Sequence, residues 1–284
     1  MASAASPTIR ARRLRRELRR LRDLRGLTVD DVARSVGWHR AKVIRIEQGH
    51  SGIAADGLRK LLDLYDASSE EREALTSLAR QARQKGWWSV YGDVLPDDYV
   101  GFEAEAEAIS TFQSLHIPGL LQTEEYARAI IHAGRTTASK DEVDRVIAAR
   151  QARKILLTRD APPKLWIILD EAAVRRVVGG AKIMSVQLGR IIEACQLPAV
   201  EVQVLPFAAG AHASMGGAFT ILDYAEPALD PAIVYVDNDT NTLLLEEEQQ
   251  VSRYKLVFDH LRAKALDPDQ SADFLVRISA ELQD

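Results

Sequence analysis

Residues 26–49 constrain the fold of this chain most, because they carry the start, turn and end signals of two consecutive short helices. Thr28 is a favourable helix cap, and Asp31, three positions later, can bond back to it, which satisfies free amide groups at a helix start. Gly37 suits the left-handed backbone that ends many helices. We therefore predict one helix that ends at Gly37 and a second over residues 39–48, the pattern of a helix-turn-helix.

The second helix is predicted to bury Val43 and Ile46, since a rotation of about 100° per residue places both on one side. The outward side chains are small, cationic or hydrogen-bonding: Ala41, Lys42, Arg45 and Gln48, with Ile44 at the margin. Arg and Lys can hydrogen-bond to guanine in the major groove, Ala permits close approach, and Ile can contact a thymine methyl. A basic surface helix with solvated charges is the alternative for an isolated stretch. The preceding helix and turn favour DNA reading.

These residues resemble the Xre, or lambda-repressor-like, helix-turn-helix family over residues 10–80, and residues 37–49 are similar to its recognition-helix signature. The resemblance implies a transcription regulator that contacts bases or phosphates through His39, Arg40, Lys42 and Arg45. Family members often carry Gln where this chain has Val29, so the contact made by that Gln is not expected here. The complete set of candidate DNA-binding residues is Thr28, His39, Arg40, Ala41, Lys42, Ile44, Arg45 and His50.

Charge is unevenly distributed along the chain. Residues 1–85 carry 19 Lys and Arg against 11 Asp and Glu, a net charge of +8, whereas the remaining residues carry 18 against 30, a net charge of −12. The overall charge of −4 therefore hides a basic module attached to an acidic one.

His50 and Ser51, after the second helix, are candidate phosphate donors, with a solvated loop histidine as the alternative.

Nine arginines lie between Arg10 and Arg25, interleaved with Leu14, Leu18, Leu21 and Leu24 at helical spacing. A run this basic is also typical of a nuclear localisation signal or a helix on a membrane surface. Because leucines share one face and the helix-turn-helix follows directly, we favour a packing helix whose arginines attract phosphates.

Gly86, Trp87 and Trp88 mark the boundary at which the charge balance changes sign. The tryptophans can stack on a base or ligand, although anchoring the linker on the second domain is the commoner role. We predict a disordered N-terminus over residues 1–9, an all-α DNA-binding domain of five helices over 10–85, a linker over 86–98 and a second domain over 99–284.

Helix and strand signals alternate in the second domain. The predicted helices cover residues 99–114, 123–133, 140–158, 184–194, 248–265 and 271–283. The predicted strands cover residues 165–169, 200–205, 218–222, 233–236 and 242–245. Because most strands cluster late and short loops join them, we expect an α+β domain with a largely antiparallel sheet.

Residues 114–127, 149–153 and 204–207, the last followed by Gly210 and His212, carry a second resemblance. They are similar to the uncharacterised domain that accompanies Xre-type modules in many actinobacterial regulators, a likeness that covers about residues 95–280. It implies a transcription factor of the kind often described as antitoxin-like and encoded beside a small partner protein. Residues 117–119 form a fixed turn before a helix, and the 210–217 loop, with His212 and Met215, is flexible enough to close over a ligand. A purely structural role is the default for both.

Enzymatic signatures are absent from the sequence: it has no phosphate-binding loop, nucleophile elbow or zinc-protease motif, and its six histidines show no ligand spacing. Asp170 and Glu171 can form an acid–base or metal pair, but a helix cap is the commoner role at a strand end. The lone Cys195 excludes an internal disulfide and indicates a reducing compartment, where burial is commoner than redox sensing. We therefore expect no catalysis, cofactor or metal.

No apolar run approaches the roughly 20 residues that span a bilayer, and Met1–Thr8 does not form a secretory leader. We expect a cytoplasmic regulator that binds double-stranded DNA, since two recognition helices about 34 Å apart on a palindrome supply affinity that one lacks. A homodimer is therefore expected. Two roles stay open for the acidic domain: sensing a small-molecule effector, or binding a small partner protein in an antitoxin-like function.

Overall fold

The computed structural model describes residues 9–84, 86–91, 94, 97–134, 139–237 and 242–282. Contacts divide the chain into two compact units, the first formed by Met1–Gly92 with Pro96–Glu105 and the second by Asp93–Leu95 with Ala106–Asp284. The contacts thus group residues 96–105 with the first unit, whereas the sequence suggested a second domain from residue 99. The predicted disorder of Met1–Thr8 lies outside the described residues, but Ile9 is buried and begins a helix.

The first unit consists of helices within the described residues. They are α1 (Ile9–Leu24), α2 (Val29–Val36), α3 (Arg40–Glu47), α4 (Ala55–Leu64), α5 (Ser69–Gln81), a 3₁₀ helix (Trp87–Tyr91) and α6 (Asp97–Glu105). The five helices predicted for residues 10–85 are all present. Asp56 lies in the first turn of α4, where its carboxylate pairs with Arg59 at 2.9 Å.

The predicted signals at both ends of α2 are confirmed. The backbone amide of Thr28 donates to Asp31 Oδ2 at 3.0 Å, and the amide of Asp31 donates to Thr28 Oγ1 at 3.2 Å. Gly37 follows with φ of 68°, a left-handed conformation that costs a glycine little. Ser68 and Glu71 repeat the same reciprocal arrangement at the start of α5.

The core of the first unit gathers aliphatic side chains from α1, α2, α3, α4 and α5. Leu14, Leu18 and Leu21 of α1 are buried in it, as the leucine spacing predicts, but Leu24 is 70% exposed in the last turn of the helix. Val29 also packs against this core as a partly buried side chain.

The second unit contains a six-stranded mixed sheet in the order β3-β2-β1-β4-β5-β6. The strands are β1 (Ala108–Gln113), β2 (Lys164–Asp170), β3 (Val200–Leu205), β4 (Phe219–Asp223), β5 (Ile233–Asp237) and β6 (Thr242–Leu245). Strands β1, β2 and β3 are parallel, and the three pairings from β1 through β4 and β5 to β6 are antiparallel. The mostly antiparallel character is confirmed, while the parallel half was not foreseen.

The prediction of one helix over residues 99–114 is wrong, because α6 ends at Glu105 and β1 follows. The Glu and Ala residues before β1 favour a helix locally. Strand β1, however, lies inside the sheet, paired with β2 on one side and β4 on the other. Pairing on both edges and burial of Phe112 outweigh local preference.

Six α-helices accompany this sheet in the described part of the second unit. They are α7 (Glu124–Gly134), α8 (Lys140–Ala152), α9 (Glu171–Arg175), α10 (Ala181–Ala194), α11 (Glu248–Lys264) and α12 (Pro268–Glu281). The predicted helix over 140–158 ends earlier, and a 3₁₀ helix, Arg153–Leu157, follows it. Val251, Phe258 and Leu261 of α11 cover one sheet face. Among the described residues, no helix is long and apolar enough to cross a membrane.

Candidate nucleic-acid interface

The turn between α2 and α3 is held by Trp38. Its backbone amide donates to the carbonyl of Ala33 at 2.8 Å, and its ring packs against the core of the first unit. The Lys42 Nζ atom lies 4.0 Å from the centre of that ring, within the range of a cation–π contact. Trp38 therefore stabilises the turn through its backbone hydrogen bond and its packing against the core. The same ring also orients Lys42 of α3.

Helix α3 buries the two side chains that its spacing predicts. Val43 is 1% exposed and Ile46 is 5% exposed. The predicted outward residues Ala41, Lys42, Arg45 and Gln48 are all exposed, and Ile44 is half-buried. The cationic, small and amide side chains therefore share a surface that DNA can reach, as a recognition helix requires.

The cations of this surface differ in their partners. Arg40 Nε lies 3.1 Å from Asp30 Oδ1 of α2, and both side chains are well exposed. Arg45 forms no ion pair with any residue that the structure describes. Since an exposed ion pair is worth little and exchanges readily, Arg40 can leave Asp30 for DNA. Arg45 needs no such exchange.

The remaining candidate contacts surround α3. His39 occupies the cap position before α3 and makes no capping hydrogen bond with its side chain, while His50 is exposed in the loop after the helix. The hydroxyl of Thr28 is engaged inside the protein, because it also donates to Asp31 Oδ2 at 2.6 Å. This bond and the backbone bond of the cap lower the pKa of the Asp31 carboxyl. A phosphate contact by Thr28 therefore competes with its capping role.

A buried ion pair between α1 and α3 was not predicted from the sequence. The Arg22 guanidinium donates from Nε to Glu47 Oε1 at 2.7 Å and from Nη2 to Glu47 Oε2 at 3.1 Å. Its Nη1 donates to the carbonyl of Leu27 at 2.8 Å. The Glu47 carboxylate raises the pKa of Arg22. One side chain thus ties α1 to the last residue of α3 and to the segment that precedes α2.

Other arginines of the basic run from Arg10 to Arg25 also have partners within the first unit. Arg12 is 1% exposed, so its charge is withdrawn from the surface. Arg20 pairs with Glu17 and Glu71, and Arg25 donates to Asp66. Some charges of this run are therefore paired with carboxylates of the same unit, and the attraction of phosphates by its arginines stays a prediction.

In the second unit, the residues singled out as chemical candidates have structural partners. Asp170 caps α9 by accepting from the amide of Ala172 at 2.8 Å, as the helix-cap alternative predicts. Glu171 accepts from the amide of Phe207 at 2.7 Å and from Arg175 at 2.5 Å. No cluster of three or more potential metal ligands exists among the described residues.

Cys195 is partly exposed at the end of α10, and desolvation raises the pKa of its thiol, which disfavours the reactive thiolate.

The residues behind the second resemblance form a buried hydrogen-bond network. Gln187, fully buried, accepts from the amide of Thr123 at 2.7 Å and donates to the carbonyl of Leu121 at 2.9 Å. Gln122 donates to the carbonyl of Ile117 at 2.7 Å and accepts from Arg150. This network fixes the turn before α7. We did not predict this role of Gln187 from the sequence. The only indication in the sequence is that a glutamine falls on the buried side of a helix.

The loop between β3 and β4 is fastened at several points. Lys264 Nζ donates to the carbonyl of Ala211 at 2.7 Å, and Ser214 Oγ donates to the carbonyl of Gly217 at 2.7 Å. His212 Nε2 lies 3.8 Å from Asp170 Oδ2. These contacts support the structural default for this loop. Phe207 and Met215 nevertheless stay exposed on it, at 59% and 71%.

Two short helices, a left-handed glycine turn and an exposed cationic second helix define a helix-turn-helix protein, a class of DNA-binding regulators. Residues 13–75 match the family described as "Helix-turn-helix domain". Residues 96–277 match the family described as "Domain of unknown function (DUF5753)". Because this second match covers more than half of the 284 residues, the chain belongs to the DUF5753 family. No functionally curated protein and no solved structure matches the chain significantly.

Proposed function

We propose that this protein is a sequence-specific transcriptional regulator of the Xre, lambda-repressor-like type, which reads DNA through α3. The observation that carries the proposal is the exposed face of α3, on which Arg45 has no ion-pair partner among the described residues. An exposed guanidinium on a recognition helix can donate two hydrogen bonds to guanine O6 and N7. The Arg22–Glu47 pair holds the end of the same helix.

The cations of α3 have separate roles in this proposal. Arg45 reads a base, because its side chain is exposed and has no ion-pair partner in the described part of the chain. Arg40 releases Asp30 and contacts a base or a phosphate near the start of the helix. Lys42, held against Trp38, supplies a point charge to a phosphate. Ala41 and Ile44 provide close approach and apolar contact with a thymine methyl.

The proposal includes a homodimer and a palindromic operator. One recognition helix contacts only a few base pairs, and a second copy about 34 Å away along the duplex doubles the number of contacts. The second unit, in which we place no catalytic step, transmits the presence of a partner protein or small ligand to the DNA-binding unit.

The deciding experiment is selection of bound sites from a random double-stranded DNA library, followed by affinities of Arg45→Ala and Arg40→Ala for the selected site and for random DNA. Loss of a bidentate base contact costs about 1–3 kcal/mol of discrimination. Arg59→Ala is the matched control, since Arg59 is an exposed arginine on α4 that pairs with Asp56 in its own turn. Equal weakening on both DNAs by Arg45→Ala would refute base reading.

A second candidate function is antitoxin-like binding of a small partner protein by the acidic second unit. The exposed Phe207 and Met215 on the fastened 206–217 loop favour it, because large apolar side chains on an ordered surface are typical of interaction sites. Replacing both by serine should abolish capture of the protein encoded beside this chain while the circular dichroism spectrum stays unchanged. Undiminished capture would exclude this loop as the contact surface.

A further inference from the structure

The first unit contains a cavity of about 380 Å³ between α1, the end of α3 with its following loop, and α5. This volume lies within the roughly 300–1,000 Å³ of small-molecule sites. Its apolar walls are aliphatic: Leu14, Leu18, Ile46, Ile53, Ala79 and Ala82. Because these side chains come from three elements that also form the core, the cavity is part of the folded unit and is not a surface groove of one helix.

Two guanidinium groups lie among the cavity-lining side chains. Arg15 of α1 lies against Gly49, where a side chain in place of the glycine hydrogen would collide with Nη1 of that arginine. Arg83, just beyond α5, donates from Nη2 to the carbonyl of Ile53 at 2.7 Å and forms no ion pair with a described residue. Aliphatic walls with two cations fit a ligand that has an alkyl chain and an anionic head.

We propose that this cavity binds an aliphatic carboxylate of medium chain length. The alkyl chain packs against the leucine and isoleucine side chains, and this removes apolar surface of both from water. The carboxylate lies near the guanidinium groups of Arg15 and Arg83, the donors best matched to its two oxygens. The site is distinct from the exposed face of α3 that the proposed function assigns to DNA.

A ligand in the cavity can affect α3, because residues of α3 and of the loop after it line the cavity. Ile46 of α3 lines the cavity, and so do Gly49 and Ser51 of the loop that follows. The amide of Ser51 donates to the carbonyl of Arg45 at 3.1 Å, which ties this loop to the proposed base reader. If the ligand and DNA each prefer one of two positions of this loop, each changes the affinity of the protein for the other by the same factor. This regulatory step rests on the proposed function, whereas ligand binding itself does not.

The test is isothermal titration calorimetry of the full chain, without DNA, using decanoate below its micellar concentration. Decanol and decyltrimethylammonium serve as neutral and cationic probes with the same chain. Ala82→Leu fills the cavity from a half-buried position, and Arg83→Gln removes one cation. Arg80→Gln makes the same charge change on an exposed residue of α5 that does not line the cavity, so it is the matched control.

We expect saturable binding of one decanoate per chain. Binding should be lost in Ala82→Leu, at least about tenfold weaker in Arg83→Gln, as expected for a charge-assisted hydrogen bond, and unchanged in Arg80→Gln. Absence of saturable binding, equal affinity for decanol, or undiminished affinity in Ala82→Leu would overturn the proposal. If the protein binds decanoate but no DNA, the cavity site stands and the proposed function fails.

Discussion

The Arg22–Glu47 pair offers the sharpest test of how the recognition helix is held. Replacing Arg22 by Met keeps most of the side-chain volume but removes two hydrogen bonds to Glu47 and one to the carbonyl of Leu27. The two side chains are only 11% and 13% exposed, so the abandoned carboxylate stays largely out of water. Breaking a buried pair in this way costs about 3–5 kcal/mol.

Because water still reaches about a tenth of each side chain, we expect the lower end of this range, about 3 kcal/mol. Arg19→Met is the matched control on α1. The Arg19 side chain is 69% exposed, and its Nε lies 3.9 Å from Asp23. An exposed pair of this kind is worth less than about 0.5 kcal/mol.

Hydrogen exchange measured by mass spectrometry is the suitable assay, because a chain of two units need not unfold in one step. Peptides from α1 to α5 report the stability of the first unit separately. At about 1.4 kcal/mol per factor of ten, Arg22→Met should speed the slowest exchange of these peptides roughly a hundredfold. A change below about threefold would refute the claim that this pair holds α3.

The double variant Arg22→Met with Glu47→Leu adds a second check. It replaces the ion pair by apolar side chains and leaves no buried charge behind, so it should recover most of the lost stability. If the double variant is as unstable as Arg22→Met alone, the cost comes from the packing of the arginine and not from the stranded carboxylate.

Three further predictions concern caps and buried polar groups. Thr28→Ala should destabilise α2 by about 1 kcal/mol, measured by amide exchange in that helix, because a reciprocal cap is lost. Carbon-detected NMR titration should show lowered pKa values for Asp31 and Glu71. Their stabilising effect should therefore be complete above about pH 4–5 and fade as the pH falls through the lowered values. Gln187→Met should lower the stability of the second unit by about 2–4 kcal/mol, measured by exchange in α7 and α10, since two buried backbone groups lose their partner. Wild-type exchange in these helices would contradict that assignment.

Local signals were sufficient for the helix-turn-helix. The cap at Thr28 and the left-handed turn at Gly37 act within a few residues of themselves, so the sequence displays both halves of each interaction. The inward and outward faces of α3 follow from helical spacing for the same reason, and Val43 and Ile46 are buried as predicted.

Interactions between distant residues account for what the sequence did not reveal. Arg22 looked like one cation in a basic run, because its partner Glu47 lies 25 residues away. Strand β1 looked helical, because its partners β2 and β4 come from distant parts of the chain. The aliphatic cavity of the first unit requires three elements in place, which no single periodic pattern indicates.

The ion pairs that a cation forms within the protein also determine how much it contributes to the salt dependence of DNA affinity. Arg20 of α1 donates to two carboxylates, Glu17 at 2.7 Å and Glu71 at 3.1 Å, and must leave both before it can contact a phosphate. Replacing Arg20 by Gln should change the slope of log affinity against log salt by less than about 0.3, whereas a lost phosphate contact changes it by about 0.9. Lys42→Gln should produce the larger change, because Lys42 is exposed and contacts the Trp38 ring without a carboxylate partner among the described residues. Affinities measured between about 50 and 200 mM salt decide the matter. A larger slope change for Arg20→Gln than for Lys42→Gln would contradict this assignment. It would show that α1, and not α3, supplies the phosphate contacts.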